Sequence, residues 1–384
     1  MGGLFELRGE LTKNQSLILG IIGVLLLISL WWVIAENMSD YKHVDAEYNS
    51  DLSGKTDAQR DSIQLADSLR IVQLKNSGQL DSVKIYPILP PPGRVLASYS
   101  KLVNQDRLVY HSVRSIWTNI QGYVWATFLS ILLGFLIGLI PFFDGILNGQ
   151  VNAIRYLPLS ALVGLFSSWF GLGSGMKVAF LAFGIFVYLL PIVVQRVREV
   201  KDVYVKTVYT LNANDWQTIW SVYFPSVMAN LIDDIRVLTA ISWTYIILAE
   251  GYNRESGLGN LIWVSSKQGR LHEVFAILII IIIIGFIQDL IFRLLDRKLF
   301  AHKNYKSLLP GLKESKIGAY VCLSVLFLVV IINAVIGLPE LPLFSSGFNI
   351  STVFLLFLIV GVLFMAYGMW LTFINTRRTT QDVH

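Results

Sequence analysis

The sequence predicts an all-α integral membrane protein that crosses the bilayer eight times, and three observations carry that prediction. The 384 residues are 54% hydrophobic and only 15% charged, against roughly a quarter charged in a typical soluble domain. The apolar residues fall in runs of about 20, the length at which a helix rising ~1.5 Å per residue crosses ~30 Å of hydrocarbon. The Lys and Arg residues gather at the ends of those runs, so orientation relative to the membrane accounts for the net charge of +5 without invoking nucleic acid. Helices are expected because lipid offers no partner to a backbone N–H or C=O.

In chain order the expected spans are 16–35, 115–140, 155–170, 176–195, 231–250, 273–294, 317–337 and 350–373, the third being short and interrupted. The first apolar run, about Leu17 to Ile34, is longer than a signal core and ends on Trp31-Trp32 rather than a small-residue cleavage site, so it reads as a retained anchor. Arg8 and Lys13 precede it. Arg196, Arg198, Lys201 and Lys206 follow the fourth span, and Arg293, Arg297, Lys298, Lys303, Lys306, Lys313 and Lys316 lie between the sixth and seventh. Arg377 and Arg378 close the chain, whereas the outer loop Leu338 to Asn349 carries neither Lys nor Arg. The positive-inside rule then places both termini in the cytoplasm of a multi-pass protein of the cytoplasmic (inner) membrane.

Four regions follow. Residues 1–36 are a cytoplasmic N-terminus and anchor; 37–112 are an extracytoplasmic polar arm and a Pro-rich entry segment; 113–303 form the core; 304–384 are a basic linker and two appended spans. The arm, through Asp40, Asp45, Asp51, Asp57, Asp61, Asp67 and Asp81, reads as a weakly amphipathic helix or a flexible arm, or else as a docking surface for a soluble partner. Tyr86-Pro87 and Pro90-Pro91-Pro92 then prevent a continuous helix.

The loop from Gln195 to Asn230 is the longest cytoplasmic excursion of the core. Val197, Val200, Tyr204, Val208 and Leu211 share one helical face. In the cluster Asn212-Ala213-Asn214-Asp215, Asn tolerates left-handed geometry and Asn214 or Asp215 can cap a new helix. Trp216, Ile219, Trp220 and Tyr223 then recur at i, i+3, i+4 and i+7 until Pro225, which is expected to break the helix. Two short amphipathic helices at an angle need something to pack on: either the ends of the spans or a cytoplasmic partner.

The stretch Lys206-Thr207-Val208, Asn212 and Val222-Tyr223-Phe224-Pro225 resembles the coupling-loop signature of binding-protein-dependent ABC importer permeases. That signature reads Glu-Ala-Ala, three residues, Gly, nine residues, then Ile-x-Leu-Pro. Leu89-Pro90-Pro91-Pro92-Gly93-Arg94-Val95-Leu96 is similar to the entry segment of the nitrate/sulfonate/taurine-type branch. Arg155-Tyr156-Leu157-Pro158 with Trp169-Phe170-Gly171-Leu172-Gly173 resembles its third span and following turn. Ile235-Arg236, Trp243, Ala249-Glu250 and Ser256-Gly257-Leu258-Gly259-Asn260-Leu261-Ile262 resemble its fifth span and outer loop. The likeness covers about residues 86–303.

Lys206 stands where the family carries Glu and Asn212 where it carries Gly. Asn keeps the turn geometry, while the reversed charge at Lys206 bears on how the loop meets its ATPase. Gly164 replaces a common second Pro in the third span.

The resemblance implies a type I permease-like helical core of about six spans, with the two C-terminal spans as additions. It implies a homodimer of permease subunits, cytoplasmic ABC ATPase subunits on the coupling loops, and an extracytoplasmic solute-binding protein, all set in membrane lipid. ATP binding on the partner would draw the coupling helices together and switch the spans from inward- to outward-facing, moving a small solute of the nitrate/sulfonate/taurine-like class. Lys206, Thr207, Val208, Asn212, Asp215, Trp216, Trp220 and Pro225 would form the ATPase-coupling loop. Pro158, Trp169, Gly171, Trp243 and Glu250 are the candidates for a translocation pathway or gate, with Glu250 weighed against a carboxylate that simply reaches water at a helix end. The rival readings are a gradient-driven carrier or channel, and a non-transporting scaffold or sensor.

Other features point to packing. Gly134-x-x-x-Gly138 allows close helix approach. Asp233, Asp234 and Arg236 are expected to pair with one another, and Asp289 with Arg293 at i,i+4. His111, His272, His302 and His384 are scattered and Cys322 is the sole cysteine, so neither a metal site nor a disulfide is expected, and no cofactor. The sequence has no Gly-x-x-x-x-Gly-Lys-Ser/Thr loop, so the chain is not expected to be an enzyme that hydrolyses ATP by that route.

Overall fold

The computed structural model describes residues 12–44, 81–300 and 312–336, with 359, 361–363, 365–367 and 370. The arm from 45 to 80, the linker 301–311, the outer loop 338–349 and most of the span expected at 350–373 lie outside the described residues. The chain divides into two units, residues 1–106 with 264–278, and residues 107–263 with 279–384.

In the first unit, helix α1 (Lys13–Asn37) begins on a capping box. Gln15 N–H donates to the Thr12 hydroxyl while the Gln15 side chain accepts from Thr12 N–H, which satisfies two donors that a helix start leaves open. None of its apolar window is buried, as a lipid-facing anchor requires. Trp31 Nε1–H donates to the Pro90 carbonyl at 3.0 Å, and its ring lies 6.0 Å from that of Phe275. Strands β1 (Asp40–Val44) and β2 (Asp81–Ile85) pair antiparallel, with Asp40 opposite Ile85 and Val44 opposite Asp81. The ends of the arm therefore close into a ribbon that alternation alone did not announce, because the partners are separated by the whole arm. Helix α2 (Pro92–Asn104) starts at the proline run, where a missing N–H is harmless. Lys101 on α2 and Arg270 both reach the wholly buried Glu273, at 2.9 and 2.7 Å, and Ser265 adds a bond of 2.9 Å.

The second unit contains α3 (Leu108–Leu139), α4 (Pro141–Ile154), α5 (Leu159–Phe170), α6 (Ser174–Arg198), α7 (Asp202–Thr210), the short α8 (Asp215–Thr218), α9 (Phe224–Asn253) and α12 (Leu312–Ile336). Helices α10 (Leu258–Lys267) and α11 (Leu271–Leu299) contribute to both units. Among the described residues four helices are long and apolar enough to cross a membrane: residues 14–37, 108–139, 174–198 and 271–297.

Helices α3 and α6 run parallel. Gly122 faces Leu181, Gly134 faces Val193 and Gly138 faces Val197, a constant offset of 59 residues. A methyl at Gly122 or Gly138 would fall 2.7 Å from its facing side chain, so these glycines let the two backbones approach as the Gly134/Gly138 spacing suggested.

Two expectations need correction. The third span, placed at 155–170, is only the second arm of a bent pair: α4 and α5 meet at 106° around Arg155–Pro158. Pro158 cannot donate to a preceding turn and forces Leu157 out of helical geometry, so the apolar run does not continue as one rod. Pro225 does not break its helix either. Residues Ile219–Tyr223 form a wide turn in which Phe224 N–H bonds the Ile219 carbonyl, and the chain enters α9 without leaving helical geometry. The wide turn falls just where the proline ring would crowd the carbonyl four residues back. The 30-residue α9 covers the expected fifth span.

The core is interhelical. Val163 and Phe166 of α5 pack with Met176 and Phe180 of α6 and Ala249 of α9; Ile137, Val151, Leu190 and Val194 form a second cluster. Ala319 of α12 packs with Ile232 and Leu299, with Met365 against them. Gly318 and Gly361 meet so closely that a methyl on Gly318 would lie 2.7 Å from the Gly361 carbonyl.

Candidate functional site

The loop 195–230 is rooted by ion pairs. Arg196 donates to both carboxylate oxygens of Asp234, at 2.7 and 2.8 Å, and to Glu199 at 2.7 Å. Arg198 pairs with Asp144. The Arg196 contact, with help from Gln195, holds the Glu199 carboxyl below the usual carboxylate range. The pairing expected among Asp233, Asp234 and Arg236 forms only in part: Asp234 turns to Arg196, while Arg236 keeps Asp233 and adds Asp289. Arg236 donates to Asp289 at 2.6 Å and stands 3.9 Å from Asp233. Short charge-assisted bonds between helices win over the looser i,i+3 contact. The Asp289–Arg293 pair forms as expected, at 2.9 Å.

Each turn of the loop is locally specified. Asn212 has φ +65°, the left-handed conformation that ends α7. Asn214 caps α8 by accepting from Gln217 N–H at 2.8 Å, while Gln217 accepts from Asn214 N–H at 2.9 Å. Tyr209 Oη–H donates to Asp215 at 2.8 Å, tying α7 to α8 and raising the phenol's pKa. Trp216 and Trp220 meet edge to face at 5.7 Å, and Trp220 lies 4.8 Å from Phe224.

The apolar face read from the sequence divides. Val197 is buried and Val200 and Val208 are half-buried, but Tyr204 is exposed. Leu211, Trp216 and Trp220 are 77%, 66% and 51% exposed. Lys206 and Thr207 are exposed beside them, with Thr207 Oγ1 donating to the Val203 carbonyl at 2.7 Å. Packing on the span ends does not cover this ledge.

Glu250 and Phe224 are 26 residues apart on α9, about 39 Å at the helical rise, so the far end of the unit holds Glu250. It is fully buried rather than reaching water. Its carboxyl lies 2.7 and 2.8 Å from Ser115 Oγ and accepts from Gly259 N–H at 2.9 Å. Leu258 N–H donates to Ser115 Oγ and Gly257 N–H to His111 Nδ1, both at 2.9 Å. The buried Lys177 donates to the Ser256 carbonyl at 3.0 Å, and Asn253 to the Gly173 carbonyl at 2.9 Å. Three helices thus clasp the turn 256–259. Gly257 has φ +115° and its missing side chain leaves room for the Glu250 carboxyl.

The sequence reading missed Ser115, His111 and Lys177. A lysine inside an apolar span was the available signal. Of the remaining candidates, Trp243 is buried and donates to Gln288 at 3.0 Å. Pro158 lies at the α4–α5 bend, and Gly171 has φ +73° at the end of α5. Trp169 is 64% exposed. The hydrogen bonds of Glu250 go to Ser115 and Gly259 rather than to any of these residues.

Residues 126–301 match the family described as "Binding-protein-dependent transport system inner membrane component". Over those residues the chain carries the membrane domain of ABC importer permeases. The permease is 26% identical over 220 residues to the "Putative aliphatic sulfonates transport permease protein SsuC" of Bacillus subtilis strain 168, covering 56% of this chain and 79% of that protein. It is also 26% identical over 216 residues to the "Taurine transport system permease protein TauC" of Escherichia coli K12, covering 55% and 78%. A helical, multi-pass membrane fold, to which the short β1–β2 ribbon is the exception, accords with both the family and the apolar helices of the permease.

Proposed function

We propose that this permease is the pathway-forming subunit of an ATP-driven importer for a small solute of the nitrate/sulfonate/taurine-like class. Two copies line the pathway, cytoplasmic ATPase subunits grip the loop 195–230, and an extracytoplasmic binding protein delivers the solute. Both termini face the cytoplasm. The solute class rests on the names of the relatives, one an aliphatic sulfonates and the other a taurine permease.

The observation that carries the reading is the ledge of Tyr204, Leu211, Trp216 and Trp220: exposed apolar side chains on backbone fixed by a left-handed Asn, a capping box and a wide turn. A flexible connector has no need of such fixing, whereas a lever transmitting force does. Its root pairs with α9 through Arg196–Asp234, so a displaced loop pulls directly on the helix that carries Glu250. In this reading Glu250 serves as an outer gate by releasing and recapturing the turn 256–259, and Pro158, Gly171, Trp169 and Trp243 belong to the moving walls.

The test uses the assembled transporter in liposomes with Leu211→Asp and Trp216→Asp. Solute-stimulated ATPase activity should fall tenfold or more while the thermal stability of the permease stays unchanged, because both side chains are exposed. Retention of stimulated activity in both variants would sink the coupling assignment.

A further inference from the structure

A cleft of about 420 Å³ opens between α4 and α6 at the loop-bearing end of α6. Its polar lining is Asn148, Asn152 and Arg155 from α4 and its end, and Tyr188, Gln195 and Arg198 from α6; Pro191 and Leu238 give it an aliphatic side. Among the described residues no carboxylate lines it. Two guanidinium groups therefore share a cleft whose other polar groups are neutral amides and a phenol.

The two arginines differ in what holds them. Arg198 pairs with Asp144, which stands outside the lining. Arg155 makes contact with its neighbour Tyr156, the guanidinium 5.4 Å from the ring centre and Nη2 3.5 Å from the hydroxyl. Among the described residues no Asp or Glu lies within ion-pair distance of Arg155. The amides are partly engaged: Asn152 donates to the Asn148 carbonyl and side chain at 2.8 and 3.0 Å, and Gln195 donates to Glu199 at 2.8 Å. Such a cleft offers planar, forked donors for an oxyanion, with the nearest carboxylates, Asp144 and Glu199, held behind the lining by Arg198 and Gln195.

We propose that this cleft is a binding site for a small oxyanion head group, phosphate, sulfate or sulfonate, with Arg155 as the primary ligand. Arg198 is the second ligand, and Asp144 is the internal competitor that the anion displaces from it. The site rests on the proposed permease reading only for its side of the membrane: the cytoplasmic one, beside the root of the loop. Its occupant is either a free anion or the phosphate of an anionic lipid, which offer the same oxygens.

The experiment is equilibrium binding of radiolabelled sulfate to the full chain in nanodiscs of phosphatidylcholine alone, paired with native mass spectrometry after reconstitution with phosphatidylglycerol. Saturable sulfate binding is expected, weakened tenfold or more in Arg155→Gln, partly restored in Arg155→Lys, and strengthened several-fold in Asp144→Asn, where Arg198 is released. Retention of phosphatidylglycerol by the parent chain and its loss from Arg155→Gln, with no sulfate bound, would also uphold the site and assign it to lipid phosphate. Binding of neither, or binding that Arg155→Gln and Asp144→Asn leave unchanged, overturns it. Thermal melts of each variant separate a lost site from a lost fold. No ATPase subunit is present, so the outcome is independent of the coupling test on Leu211 and Trp216.

Discussion

Replacing Glu250 separates shape from hydrogen bonding at the clasp. In Glu250→Ala two buried donors lose their acceptor: Gly259 N–H, now bonded at 2.9 Å, and the Ser115 hydroxyl at 2.7 Å. An orphaned buried donor costs about 1–3 kcal/mol, so the alanine variant should lose about 3 kcal/mol or more once the void left by the side chain is included. Glu250→Gln fills the same space. Its carbonyl still accepts from Gly259, and its amide can donate to Ser115 Oγ, which already accepts from Leu258 N–H. Its loss should be about 1 kcal/mol. The assay is thermal or denaturant unfolding of the purified permease in one detergent, with proteolysis of the turn 256–259 as a local readout. Alanine should open the turn and glutamine should not. Equal behaviour of the two variants would refute the view that these bonds hold the turn.

Further outcomes follow from other parts of the permease. Asp234→Ala should destabilise by about 1 kcal/mol by removing the two-pronged acceptor of Arg196, which then keeps only Glu199, and adding Arg196→Ala should recover part of it; a double-mutant cycle reads the coupling, and a value of zero would deny the pair a role. Gly134→Ala should lower thermal stability, because the methyl meets the Val193 side chain, whereas Gly145→Ala meets open space and should be neutral or stabilising. At the loop turn, Asn212→Gly should keep solute-stimulated ATPase activity within about twofold, since glycine accepts φ +65° freely, while Asn212→Pro should abolish coupling. Acidification should leave the Arg196–Glu199 contact intact down to the ordinary carboxylate range. A carboxyl with a depressed folded pKa contributes stability above its unfolded value and loses it as pH falls through the folded one; hydrogen-exchange protection factors at the loop root, which remove the intrinsic pH dependence of exchange, should stay flat across pH 6 to ~4.

Local geometry was legible where the determinants are contiguous. The Asn212 turn, the Asn214 cap and the Asp289–Arg293 pair each depend on residues within a few positions of one another. The spacing of Gly134 and Gly138 announced a close contact but not its partner, which is Val193 and Val197 on α6. Glu250 was noticed for its charge, yet its surroundings come from Ser115, 135 residues earlier, and from a turn that follows it. Pro158 and Pro225 carry the same chemistry and opposite outcomes: one bends its apolar run by 106°, the other is absorbed by a wide turn.

The sequence by itself determined that this chain lives in lipid, because runs of apolar residues near 20 long leave their backbone groups no solvent but the helix. It determined where the loop 195–230 would turn, because caps and left-handed positions are local. Only the tertiary structure decided that the ion pairs at the loop root run between helices, that Leu211 and the two tryptophans remain uncovered, and that Glu250 is buried in a clasp. Burial and long-range pairing are properties of which helices meet, and no periodicity within one helix encodes its neighbour.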